Sequence, residues 1–252
     1  MHHIMLRYSV LHIISHMDNS TRLQYLEAMG VDVWIPRKSM PVVFEAIPEV
    51  IAITAEVTSE TGLFANPHQE WAELETEVAS CTKCTLCQTR TQTVFGTGNK
   101  TADWMIIGEA PGQHEDEQGK PFVGKAGALL TEMLRAVGLN RDDVFITNIL
   151  KCRPPGNRDP KPEEAESCSD YLHRQRVLLQ PKIILAVGRI SAQTLLKTDL
   201  PLSKLRGKVH KLDETPLVVV YHPAYLLRSL LEKRKAWQDL QLAVQTVKDI
   251  KG

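Results

Sequence analysis

Three groups of residues in this chain have types and spacing that could do chemistry. Cys81, Cys84, Cys152 and Cys168 combine a C-x2-C pair with two distant thiols, the donor set of a structural zinc or a [4Fe–4S] cluster. Spacing alone favours zinc, the commoner structural site, and four unrelated buried cysteines are the plain alternative. Cys87 is left over as a bystander. His222 directly follows an apolar run and precedes Pro223, where an imidazole serves as a hydrogen-bonding group or simply as a satisfied core residue. The third group lies in residues 108–124, GEAPGQHEDEQGKPFVG. Five of its first fourteen residues are glycine or proline, which brings the backbone close to a ligand. Glu109, Glu115, Asp116 and Glu117 supply carboxylates, and Phe122 an aromatic face. Neither G-x-G-x-x-G nor a P-loop is present, so a phosphate cradle is disfavoured. The bland readings are a solvated acidic turn and a Phe122 that packs on the next helix.

The elements that must hold these residues follow from periodicity. Apolar runs at 104–107, 144–150, 183–187 and 217–221 are each followed by a helical pattern, at 125–137, 162–179, 189–196 and 224–251. Short apolar strands alternating with amphipathic helices predict an α/β fold. It is a three-layer α/β/α sandwich around a central four-stranded parallel sheet with right-handed crossovers. Ligands bind such sheets at the carboxyl ends of the strands. Residues 108–124, Asn148 with Lys151-Cys152-Arg153, Gly188-Arg189 and His222–Arg228 all fall on that edge. Their coincidence makes them one candidate site, although Asn148 could equally be a backbone-capping residue.

The formal net charge is zero, but residues 1–80 hold 4 Lys+Arg against 11 Asp+Glu, and residues 81–252 hold 26 against 19. The second part therefore suits a polyanion, with an ordinary solvated surface as the alternative. We read residues 1–66 as an acidic extension or linker, with a short helix at 21–29 capped by Ser20. Residues 67–252 are read as the functional domain, opening on a helix at 67–79. Residues 4–14 are apolar but short, carry Arg7 and His12 and lack a small-residue cleavage site, which argues against a signal peptide. Met17 is as good a start as Met1. An odd count of five cysteines, three of them within seven residues, argues against a secreted disulfide framework and for a reducing, cytoplasmic setting. No stretch has the length of a membrane span.

Taken together, Cys81-x2-Cys84-x-Leu86, Gly108-Glu-Ala-Pro-Gly112 with Glu115-Asp116, Gly119-x-Pro-Phe-Val-Gly124, Asn148 with Lys151-Cys-Arg-Pro-Pro155, and His222-Pro-Ala-Tyr-Leu-Leu-Arg228 closely resemble the family-4, iron–sulfur uracil-DNA glycosylases. The match covers about residues 71–250. The resemblance implies a [4Fe–4S] cluster on Cys81, Cys84, Cys152 and Cys168, against the spacing-based lean to zinc. It also implies hydrolysis of the N-glycosidic bond of a uracil flipped out of single- or double-stranded DNA, leaving an abasic site. Under it Gly108, Ala110, Phe122, Asn148 and His222 bind the base. His222 with Glu109 or Glu115 performs the cleavage, and Glu115 is the preferred carboxylate because Ala110 stands where better-known relatives have an acid. Arg153, Arg206, Tyr225, Leu226 and Arg228 are expected on the DNA. Leu226 and Leu227 either fill the gap left by the base or face the core. The absence of a basic insertion after residue 124 favours turnover over covalent trapping. The protein is expected to be a monomer whose N-terminal arm is free to bind another protein. The competing reading is a non-catalytic iron–sulfur DNA-binding module.

Overall fold

The structure, a computed structural model, describes residues 67–251. The helix expected at 21–29 and the rest of the acidic extension lie outside the described residues. Among those described, α1 (Pro67–Ala79) leads to the first cysteines, and a six-stranded sheet follows. Four parallel strands form its centre: β2 (Trp104–Gly108), β3 (Phe145–Asn148), β4 (Ile183–Val187) and β6 (Thr215–Val220). They are the four apolar runs read from sequence. Successive side chains alternate between two cores, as the period of two demands. Met105, Ile107, Ile184 and Ala186 pack on the side of α1, α4 (Pro162–Leu179) and α5 (Arg189–Leu196). Trp104, Ile106, Ile183 and Leu185 pack on the side of α3 (Lys125–Ala136) and α8 (Lys233–Lys251). Three layers result.

The sheet is wider than the four strands expected. The order is β1-β3-β2-β4-β6-β5, with β1 (Thr97–Gly98) and β5 (Val209–Leu212) joined antiparallel at the edges. Neither edge strand has a continuous apolar run. β1 is two residues long, and β5 alternates exposed with half-buried positions because only one face meets the core.

Two helical readings also change. Glu115, Asp116 and Glu117 lie on a short helix, α2 (Gln113–Gln118), rather than in an open loop, while Glu109 directly follows β2. The single helix expected over 224–251 is broken into α7 (Pro223–Leu226), a 3-10 turn (Leu230–Glu232) and α8. At Ser229 the backbone leaves the helical region, with φ −129° and ψ 73°. Leu230 and Leu231, which gave the stretch its apolar periodicity, are 64% and 91% exposed and pack on no core. The chain turns to opposite sides of β2 on its way to β3 and then β4, which opens a crevice above the carboxyl ends of these strands.

Candidate active site

The ends of β2 and β3 lie side by side, with Gly108 in register with Asn148. A Cβ on Gly108 would stand 2.3 Å from Asn148 Oδ1 and 2.6 Å from Phe122 Cζ, so only glycine lets the amide and the ring converge here. Phe122 is buried and sits at φ +54°, a left-handed conformation that costs a non-glycine residue about 1–2 kcal/mol. Three contacts hold it there. The Glu115 carboxylate accepts from the backbone N–H groups of Val123 (2.9 Å) and Gly124 (3.2 Å), and with its other oxygen from Gly112 (3.1 Å). Arg141 donates to the Pro121 carbonyl at 2.9 Å. Gly127 of α3 leaves room for the Phe122 carbonyl, which a Cβ would meet at 1.8 Å. Asn148 is 2% exposed, and among the described residues no hydrogen bond engages its side-chain amide.

His222 follows β6 and caps α7, its Nδ1 accepting from the Ala224 N–H at 3.1 Å. An accepting Nδ1 leaves the ring proton on Nε2. Burial pushes the imidazole down to about 4, with the Arg228 charge adding to the effect and Glu115 opposing it. His222 is therefore a neutral donor at physiological pH. Its ring lies 5.7 Å from that of Phe122, tilted by 30°. Both line a cavity of about 470 Å³ with Glu109, Ala110, Asn148 and Arg228. Glu109 is half-buried there, and burial, reinforced by Asp159 and opposed by Arg189, raises its carboxyl to about 7. The wall thus carries a stacking ring, a free amide, a neutral donor and a carboxylate poised to take a proton.

Comparison with known proteins fits this geometry. The sequence model of the Uracil DNA glycosylase superfamily matches residues 95–241. The chain belongs to that superfamily. It is similar to the type-4 uracil-DNA glycosylase of Archaeoglobus fulgidus, 49% identical over 159 residues that make up 60% of this chain and 80% of the relative. It is also similar to the type-4 uracil-DNA glycosylase of Thermotoga maritima, 38% identical over 185 residues covering 71% of this chain and 96% of the relative. Similarity to the type-5 uracil-DNA glycosylase of Thermus thermophilus is narrower, 35% identity over 118 residues, 41% of this chain and 53% of the relative.

Beside the cavity this superfamily member gathers its thiols. Cys81 follows α1, Cys84 opens the Thr85–Gln88 turn, Cys152 follows β3 and Cys168 lies on α4. All are free, and all pack in or against the core cluster on the α1 and α4 side. The Cys152 thiol feels Cys168 and Cys84, and the Cys168 thiol feels Cys84 and Cys81, so three stretches of the chain bring the thiols near one another. Burial raises the Cys152 thiol to about 11, while Arg90 donates to its Sγ at 3.0 Å and to the Cys81 carbonyl at 2.7 Å. Burial also lowers Lys151 to about 7, with Cys168 and Cys152 pulling it back up. Four thiols, one of them accepting from the Arg90 guanidinium, fit a soft, anionic metal assembly. Among the described residues no three His, Cys, Asp or Glu side chains are placed to hold a single metal ion.

Other expected residues fall elsewhere. Arg206 was expected on DNA, but its guanidinium grips the fully buried Asp239 through two 2.9 Å hydrogen bonds and donates to the Lys235 carbonyl at 2.7 Å. It ties α8 to the segment before β5. Arg206→Ala therefore loses about 3 kcal/mol of stability by stranding a buried carboxylate. Urea denaturation checks this; unchanged stability together with a weaker salt dependence of DNA binding would return Arg206 to the DNA. Leu226 is 1% exposed and belongs to the core, which removes it from any DNA-facing wedge. Tyr225 and Leu227 are exposed, at 39% and 43%, and Tyr225 stacks on Tyr221. Arg153 donates to Asn157 at 2.7 Å, and Arg228 is exposed at the cavity wall. Asp116 is buried and accepts from the Thr91 and Gln92 N–H groups, so one acid of the run is structural. Sequence reading missed Gly127 and Arg141, and it placed Lys151 on the strand-end edge without giving it a role. A glycine inside a helix was the one available signal for Gly127. An arginine is ordinarily solvated, so Arg141 gave no signal.

Proposed function

We propose that this chain is a uracil-DNA glycosylase that takes uracil out of the DNA stack and hydrolyses its N-glycosidic bond, leaving an abasic site for base excision repair. The convergence of Phe122, Asn148 and His222 around one strand-end cavity, in a chain of this superfamily, carries the reading. Flipping is needed because the bond is out of reach within the duplex. Phe122 supplies a face for the extruded ring. The Asn148 amide donates to uracil O4 and accepts from N3–H, whereas cytosine presents the reverse pattern there. The C1′–N1 bond breaks with its electron pair leaving on uracil. His222 donates through Nε2 to the O2 side, where that charge gathers, without itself losing a proton. Gly108 and Ala110 let the backbone come close to the base.

Water must then add at C1′ and surrender a proton. Glu115 was preferred for this step, but its hydrogen bonds to Gly112, Val123 and Gly124 give it the work of holding the Phe122 loop. Glu109, which lines the cavity and is raised to about 7, takes the proton and faces the cationic sugar. The ionised form is the active one, so single-turnover excision rises with pH through about 7 and levels above it. His222 stays neutral throughout that range. Glu109→Gln removes this limb and slows excision by about 10²–10⁴-fold. A pH–rate profile of parent and variant decides, and a Glu109→Gln enzyme that kept both the limb and the rate would transfer the role to Glu115.

For the thiols we infer a [4Fe–4S] cluster on Cys81, Cys84, Cys152 and Cys168, supported by the resemblance to type-4 enzymes and by the cysteines' shared environment. Bound there, it supplies a structural crosslink between the segments carrying Cys81, Cys84, Cys152 and Cys168, and hydrolysis needs no redox step. Iron analysis and visible absorbance test it; zinc without iron would contradict it. Arg153, Arg228, Tyr225 and Leu227 remain the DNA-facing set. On this reading the protein acts as a monomer in a reducing cytoplasm, a setting that suits its free cysteines. The acidic residues 1–66 are left as an arm for a protein partner. Among the described residues no helix is long and apolar enough to cross a membrane.

A further inference from the structure

Lys151 is the least expected side chain in the domain. It is 1% exposed, yet all three of its ammonium hydrogens are directed at neutral acceptors: Thr147 Oγ1 at 2.6 Å, Gln175 Oε1 at 2.7 Å and the backbone carbonyl of Asn148 at 2.9 Å. Thr147 and Gln175 are themselves fully buried, and both donate to the Phe95 carbonyl at 2.9 Å. A buried cation is costly, and an apolar side chain would fill the same volume without that cost. The arrangement has a local use. The ladder between β3 and β1 stops at Ile146, two residues short of Asn148, and the Asn148 carbonyl turns to Nζ instead.

We propose that Lys151 is a positioning residue that holds Asn148 at the end of β3 in the place from which its amide reads uracil. The proposal rests on the uracil-reading role given to Asn148. Lys151 touches neither base nor sugar and acts through the backbone of Asn148, with Gln175 of α4 and Thr147 of β3 as its anchors. Because α4 also carries Cys168, and Cys152 is the next residue, the same strut joins the thiol region to the floor of the base pocket.

A double-mutant cycle in the full-length, iron-replete protein tests it. Lys151→Met, Asn148→Ala and their combination are compared by single-turnover excision, inhibition by free uracil, affinity for an abasic oligonucleotide, and iron content. Lys151→Met is expected to slow excision and weaken free uracil by similar factors of about tenfold or more. Its iron content and abasic-DNA affinity stay at the parental level. In the Asn148→Ala background it adds less than about twofold. Effects that multiply, a Lys151→Met enzyme with parental kinetics, or a loss that tracks iron content would overturn the proposal. Should Lys151→Met fail to fold, Gln175→Met enters the same cycle with the same criteria. An Asn148→Ala enzyme that excises uracil at the parental rate would instead remove the reading on which the proposal stands.

Discussion

Asn148→Asp is expected to lower single-turnover excision of uracil by about a thousandfold or more, while DNA affinity changes little. Asn148 lies 2% exposed at the end of β3, with its amide facing the cavity and unengaged within the described residues. Uracil O4 needs a donor and N3–H an acceptor, and one amide provides both. A carboxylate keeps the acceptor and sets a second oxygen against O4, in a pocket too buried for water to relieve it. Cytosine places an amino donor where uracil has O4, so the relative preference of the variant moves towards cytosine. Rates on matched oligonucleotides carrying uracil or cytosine provide the measurement. A loss of less than about tenfold on uracil would mean that Asn148 does not read the base.

The second large effect belongs to His222. Its removal as His222→Ala is expected to cost about 10²–10³-fold in the single-turnover rate, the scale of a lost donor to a developing anion. The Ala224 N–H fixes the tautomer by donating to Nδ1, and burial holds the ring neutral down to about pH 4. The sign matters for pH dependence. A depressed imidazole changes charge only as pH falls through about 4, so His222 contributes no limb near neutrality, and the limb near 7 is that of Glu109. If His222→Ala shifted that limb rather than lowering the whole profile, the two roles would have to be exchanged.

The central strands and three of the helices were legible because their residues are buried on a plain period. α1, α4 and α5 begin and end where capping and periodicity put them. β1 and β5 were not legible, since an edge strand needs no apolar run and is recruited by its neighbour's free edge. Phe122, Asn148 and His222 were legible as a site through their places at strand ends. The use of the carboxylates was not. Glu115, Asp116 and Glu117 look alike in sequence, and only their backbone partners show that the first braces a loop and the second ties it to Thr91. Arg206 illustrates the same limit, because a basic residue before a strand suggests phosphate until its buried partner Asp239, 33 residues away, is seen. Leu226 and Leu227 differ by one position on a helical turn, which puts one in the core and the other in solvent.

The central claim is that this chain flips uracil from DNA and cuts its N-glycosidic bond. The direct measurement incubates the iron-replete protein with single- and double-stranded oligonucleotides holding one uracil, cytosine or thymine, then tests for released base and alkali-labile sites. Free uracil and a strand break at the uracil position, with neither at cytosine or thymine and neither from His222→Ala at matched times, is the predicted result. Tight binding to the uracil oligonucleotide with no released base and no alkali-labile site would contradict it.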